Sequence, residues 1–191
     1  GGATLTVEAK SFDTQYLQVT AEQESMRRNT ERIAADQRKI DQARSVSHAE
    51  FLFPANAPFL QPVEGRLTTP YGYTRYVNGS YAGSHTAIDL AAPEGTPVYA
   101  TNDGVVALAD DLYLTGLSIY IDHGMHLFSQ YAHLSELNVE AGDKVKRGDQ
   151  IGLVGSTGFS TGPHLHFTFW AHNVPVNPNL FFDRTPFDWQ A

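Results

Sequence analysis

The sequence predicts a mainly β protein: a compact antiparallel β-sheet or sandwich domain carrying an N-terminal strand-plus-helix arm. Three observations predict it. From about Gly65 onward, short β-branched and aromatic runs alternate with glycine turns, the signature of strands joined by hairpins. Two stretches, EGTPVYATNDGVV from Glu94 and AGDKVKRGDQIG from Ala141, echo each other as turn, short strand, glycine turn and second strand. Helix signals, by contrast, are confined to the chain up to about Ser45.

The elements follow in order. Thr4–Ala9 alternates enough for a strand, and Tyr16–Val19 for another. Thr20-Ala21-Glu22-Gln23 reads as a capping box, in which a threonine hydroxyl and a glutamine amide satisfy each other's backbone N–H groups. It opens one polar helix running to about Ser45. Met26, Ile33 and Ile40 recur every seven positions along it, a thin stripe able to lie against a body but not to form a core. Arg27, Arg28, Arg32, Arg38, Lys39 and Arg44 are interleaved with Glu31, Asp36 and Asp41, the pattern of a solvated helix face. Pro54, Pro58 and Pro62 then punctuate a linker. Residues 1–64 are therefore read as an arm, or the tail of a larger upstream domain, and residues 65–191 as the β domain. Its strands are expected at Val98–Ala100, Gly104–Ala109, Leu117–Asp122, Leu127–Ala132, Gln150–Val154 and His164–Trp170.

Composition narrows the chemistry. A formal net charge of −8 argues against a nucleic-acid partner, which calls for a basic face. It disfavours a polybasic membrane-surface protein equally. No run approaches the roughly 20 apolar residues of a membrane span. The first residues do not form a signal peptide, so for an exported protein the targeting segment lies outside this sequence. With no cysteines, thiolate catalysis and disulfides are excluded, and any metal must be held by His, Asp or Glu.

Four of the eight histidines fall in compact patterns. In His85-Thr86-Ala87-Ile88-Asp89, an extended segment would turn both end residues to one side. Nitrogen plus carboxylate oxygen suits zinc, although the spacing alone fits a surface histidine and a turn aspartate better. In His164-Leu165-His166, strand alternation sends both imidazoles to one face and Leu165 to the other. Two neighbouring imidazoles carry desolvation and repulsion costs that favour a functional pair over a merely exposed strand face. Spacing does not say which of the two would bind a metal. His133, at the end of a strand, stands alone and is notable only for this company.

Taken together, HTAID, APEGTPVYATNDGVV, YAHLS, GDKVKRGDQIGLVGSTGFSTGPHLHF and VNPNLFF occur here in one order. The stretch from about Gly65 to Phe182 thereby resembles the lysostaphin-type (LytM-like) zinc metallopeptidases, which are peptidoglycan endopeptidases. The resemblance implies Zn2+ held by His85, Asp89 and His166, with His133 and His164 as catalytic histidines. Three protein ligands leave a fourth position for water, as in catalytic zinc sites. It further implies peptidoglycan peptides as substrate and a cell-envelope location, periplasmic or extracellular. Relatives divide between glycine cross-bridges and bonds of the D-alanyl–diaminopimelate type; the motifs do not distinguish them, and a diaminopimelate-type wall in the periplasm is the expectation. No His-Glu-x-x-His motif is present, so a glutamate base is not expected.

Two rivals remain at this level. Some relatives have lost ligands and serve as non-catalytic wall-binding or regulatory modules, which retention of all five positions opposes. The glycine-turn echo is also similar to lipoyl carriers, but these need a lysine at the hairpin tip, where Asn102-Asp103-Gly104 stands instead. Tyr73, Tyr76 and Tyr81 are equally consistent with groove-lining residues and ordinary loop aromatics. His48, His123, His126 and His172 are read as surface or turn residues.

Overall fold

The computed structural model describes residue 6 and residues 9–182. The strand expected at Thr4–Ala9 falls mostly outside them. Strand β1 spans Thr14–Leu17, starting earlier than expected. The capping box opens helix α1, Ala21–Arg28: Thr20 Oγ1 accepts from the Gln23 amide at 3.2 Å, and Gln23 Oε1 accepts from the Thr20 amide at 3.0 Å.

The single helix expected to reach Ser45 is instead two. Asn29 leaves helical geometry (φ −79, ψ 75), and its Oδ1 caps helix α2, Thr30–Ser45, by accepting from the Arg32 amide at 3.2 Å. A short amide side chain that competes for backbone N–H groups favours caps over helix interiors, which is why the break falls there. The interleaved charges of α2 are not simply a solvated face. Asp36 Oδ2 accepts from the Tyr113 amide at 2.6 Å, and Lys39 Nζ meets Asp110 Oδ2 at 2.7 Å. The guanidinium of Arg44, only 4% exposed, lies 3.9 Å over the ring of Trp170.

Four strands that the sequence reading did not separate come next: β2 (Arg66–Thr69), β3 (Thr74–Val77), β4 (Ser80–Ser84) and β5 (Ile88–Ala91). Then follow β6 (Pro97–Tyr99), β7 (Gly104–Leu112), β8 (Gly116–Asp122), β9 (Leu127–Leu137) and β10 (Lys144–Val145). The chain continues through β11 (Gln150–Val154), β12 (His164–Ala171), β13 (Val174–Val176) and a 3-10 turn at Pro178–Leu180. The main sheet runs β10-β7-β8-β9-β12-β5-β2, with β13 beside β12 and with β11 bonded to both β6 and β9. The two echoing stretches pair with one another, β6 with β11 and β7 with β10, all antiparallel. A smaller sheet, β1-β3-β4, takes β1 in parallel against β3, so the arm is joined to the domain by backbone pairing.

One face of the main sheet carries the core. Ile119, Tyr131, Leu165, Phe167 and Phe169 are fully buried there, and Phe53, Phe59 and Val63 from the proline-rich segment pack with them. The opposite face carries Tyr120, Gln130 and Thr168, neighbours across β8, β9 and β12. Alternation places His166 on this second face with Thr168 and Trp170. Helix α2 covers part of it through the Arg44–Trp170 stack. Among the described residues, no helix is long and apolar enough to cross a membrane.

His123 is a core residue rather than a turn residue. It is completely buried between phenylalanines, with Nδ1 donating to the Asp103 carbonyl at 2.7 Å and Nε2 2.8 Å from Ser129 Oγ. Burial disfavours the charged ring and pushes its pKa down to about 4. An unfolded histidine titrates near 6.5. Between those values the unfolded chain binds more protons than the folded one, so stability is whole above about pH 6.5 and falls as pH is lowered toward 4. The loss from this group reaches about 3 kcal/mol. Urea melts at pH 7.5 and pH 5 should show that loss, and His123→Asn should reduce it, the buried His133 still contributing, at a lower overall stability.

Candidate metal centre

Strands β5 and β12 set the site. Asp89 and His166 are direct partners in the antiparallel β5–β12 ladder, so their side chains leave the same face at the same level. His164, two residues earlier, joins that face with Nε2 3.8 Å from Asp89 Oδ1. His85 arrives by a different route from the one its spacing suggested. It lies beyond the end of β4, where the chain crosses from the small sheet to the main one, and not on a strand shared with Asp89. Backbone bonds pin it there: its amide donates to Tyr73 O at 2.8 Å, and its carbonyl accepts from Gly72 at 2.7 Å.

Three donor atoms converge. His85 Nε2 is 3.1 Å from Asp89 Oδ1 and 3.4 Å from His166 Nδ1, which is itself 2.9 Å from Asp89 Oδ1. Among the described residues these three form the one group of His, Asp or Glu ligand atoms close enough to share an ion. Tetrahedral zinc with bonds of about 2.0–2.1 Å separates its donors by about 3.3 Å, so the set fits that ion without rearrangement. The tautomer agrees. His85 Nδ1 faces the Pro70 carbonyl at 3.2 Å and must carry the proton, which turns the Nε2 lone pair of the neutral ring toward the carboxylate. A carbonyl on the outer nitrogen is the usual way of fixing a histidine ligand. Burial pushes the Asp89 carboxyl up, but its contacts with His166 and His85 outweigh that and hold it well below the ordinary carboxylate range.

His133 reaches the same face only because β9 is bulged. Ile119 pairs with Tyr131 but Leu117 with Leu134, which leaves an extra residue on β9, and His133 takes the left-handed φ of 63° there. Without the bulge, alternation would send His133 to the core side with Tyr131. Thr157 stands behind the ring and accepts from His133 Nδ1 at 2.8 Å. Gly116 makes room for Thr157, since a Cβ at this glycine would lie 2.2 Å from Thr157 Oγ1. Burial, then the neighbouring imidazoles of His166 and His164, push His133 down to about 3. It therefore stands neutral at physiological pH with Nε2 free to accept. His164 matches it: Nδ1 donates to the Gly162 carbonyl at 2.8 Å, and its ring centroid lies 4.8 Å from that of His133.

A groove of about 440 Å³ opens over Asp89, His133, His164 and His166, lined by β2, by Arg75 of β3 and by the 159–163 loop. The arm lines it too, through Gln15 and Leu17 of β1, and Gln23 Nε2 donates to Ser160 O at 2.8 Å. Sequence reasoning missed Arg75, which lines the groove and bonds Asp89, as well as Thr157 and Gly116. Their roles arise from tertiary neighbours and leave no local motif. Tyr73, Tyr76 and Tyr81 do not line the groove. Tyr73 donates to Asp13, and Tyr76 and Tyr81 pack together with Tyr16 on the far side of the small sheet from Arg75. His48 bonds Asp122, and His126 and His172 meet across two turns, all away from the cluster.

Residues 83–178 match the model of the family described as peptidase family M23. Over 93 residues the chain is 45% identical to the peptidoglycan DD-endopeptidase ShyA of Vibrio cholerae, covering 49% of this chain and 22% of that protein. Among solved structures, a zinc-containing peptidase from Vibrio cholerae superposes with a TM-score of 0.59 at 35% identity, covering 64% of this chain and 39% of the other. The catalytic domain of the antimicrobial peptidase lysostaphin from Staphylococcus simulans superposes with a TM-score of 0.56 at 34% identity, over 61% of this chain and 91% of that domain. The chain spans between 22% and 32% of the length of the first curated relatives it matches.

Proposed function

The chain belongs to peptidase family M23, and on that premise we propose that it is a zinc-dependent endopeptidase hydrolysing peptide bonds in peptidoglycan stem peptides or cross-bridges. The observation that carries this reading is the meeting of two kinds of group on one sheet face. His85, Asp89 and His166 offer three donor atoms within reach of one ion, and His133 and His164 stand beside them, each held through Nδ1 by a backbone carbonyl. Zinc, when bound, supplies Lewis-acid polarisation and makes water nucleophilic near neutral pH.

The chain's own residues supply the rest. His85, Asp89 and His166 are assigned as ligands, and His133 and His164 as the catalytic pair. His133, neutral and oriented by Thr157, accepts the proton of the attacking water and returns it to the departing amine. His164, held by the Gly162 carbonyl, takes part in orienting that water and in hydrogen-bonding the charge that develops on the scissile carbonyl oxygen. The groove walls hold an extended peptide over this row, so that the bond to be cut is presented in a fixed direction.

Similarity to a relative named for DD-endopeptidase activity supports a bond of the D-alanyl–diaminopimelate type, and with it a site of action in the cell envelope on the periplasmic side. We assign residues 65–191 as the peptidase unit and residues 1–64 as an arm attached to it. The rival reading is a wall-binding or regulatory module of the same fold, which retention of all five positions opposes. Incubation of purified peptidoglycan with the zinc-loaded protein should release soluble peptide-containing fragments. Chelation should stop the release, and added zinc should restore it. A zinc-loaded protein that binds the wall without cutting it is the module instead.

A further inference from the structure

The two oxygens of Asp89 face different partners. Oδ1 points into the cluster, 3.1 Å from His85 Nε2 and 2.9 Å from His166 Nδ1. Oδ2 is turned away and accepts from Arg75 Nη2 at 3.1 Å. Arg75 is itself held from behind: its Nε donates to Gln15 Oε1 at 2.8 Å, and Gln15 Nε2 donates to Thr69 Oγ1 at 2.9 Å. Gln15 lies on β1, directly opposite Arg75 in the parallel β1–β3 register, while Thr69 is the partner of Asp89 in the β2–β5 ladder. A closed ring of contacts thus runs from the carboxylate through Arg75 and Gln15 and returns to the carboxylate's own neighbour. The planar guanidinium makes both of its bonds from one rigid fork, which an ammonium on a flexible stem cannot reproduce.

A carboxylate can offer a metal one oxygen or two. Free to rotate beside an open metal, it can swing its second oxygen inward and take up the position that water would use. We propose that Arg75, braced by Gln15 of the arm, is the positioning residue that holds Asp89 as a one-oxygen ligand, so that strand β1 is a working part of the metal centre. The inference rests on the reading of His85, Asp89 and His166 as the zinc ligands. Partners of this kind, one bond removed from the metal, typically change affinity by about 10–100-fold when removed. The arm's contribution follows from geometry, because its strand supplies Gln15, whose Oε1 accepts from Arg75 Nε.

The test compares wild-type protein with Arg75→Met, Arg75→Lys and Gln15→Leu. Zinc affinity is read by competition against a chromogenic chelator, and ligand geometry by the visible absorption of the cobalt-substituted proteins. Thermal melting of each variant confirms that it is folded. Arg75→Met is expected to weaken zinc binding by about 10–100-fold and to lower the cobalt band intensity as Asp89 contributes a second oxygen. Arg75→Lys should restore part of both, and Gln15→Leu should shift both in the same direction by less. Unchanged affinity together with an unchanged cobalt spectrum in folded Arg75→Met would overturn the proposal. Failure of the wild-type protein itself to bind zinc would bring down the ligand assignment, a result distinct from equal binding by wild type and variant.

Discussion

Replacing His166 by alanine is expected to abolish zinc binding and hydrolysis together. Its Nδ1 is one of three converging donors, and its loss leaves Asp89 Oδ1 and His85 Nε2, 3.1 Å apart, as a pair. The nearest candidate, His164 Nε2, sits 3.8 Å from the same oxygen but is tied through its other nitrogen to Gly162. Zinc content measured by elemental analysis should fall from about one ion per chain to background, and peptidoglycan release should fall with it. The fold should persist, because the ring is not part of the core and its neighbours Leu165 and Phe167 carry the packing of that strand.

His133→Ala should separate the two properties. The residue makes no contact with Asp89 or His85 among the hydrogen bonds of the site, and its ring is held through Thr157 rather than through the cluster. Zinc should remain at about one ion per chain, while hydrolysis falls by about 100- to 10,000-fold, the usual contribution of a positioned general acid–base. The cost to stability should be modest, because removing the ring also relieves a buried imidazole. Parallel metal analysis and rate measurement on the two variants read the division of labour directly. Equal metal loss in both would show that His133 belongs to the ligand set.

How much of this was legible in the sequence depended on how local each cause was. The capping box of Thr20 and Gln23 was readable because both halves of the bond lie within one helical turn. Asn29 lies in the same helix but interrupts it, and an asparagine inside a helical pattern is compatible with both outcomes until its side chain finds the Arg32 amide. The shared face of His164 and His166 followed from period-two alternation alone, which has a single solution on an unbroken strand.

His85 and Asp89 were brought together as their spacing suggested, but by a crossing between two sheets and not by one extended segment. His133 shows the limit most clearly. Alternation counted along β9 places it on the core side; a bulge returns it to the groove, where Thr157, given room by Gly116, holds its ring, and both come from other strands and loops. Arg75 had no signal at all, since its bonds to Asp89 and Gln15 join three strands that only the folded chain aligns.

The most direct measurement is mass spectrometry of a defined, cross-linked muropeptide dimer after incubation with the zinc-loaded protein. Hydrolysis at the cross-bridge adds one water and yields two monomers whose masses sum to that of the dimer plus water, with a chelator-treated control left intact. A zinc endopeptidase cutting the cross-bridge should give those two monomers as wild-type protein and leave the dimer unchanged as His166→Ala. An unchanged dimer from wild-type protein that carries zinc and binds the substrate would contradict that activity.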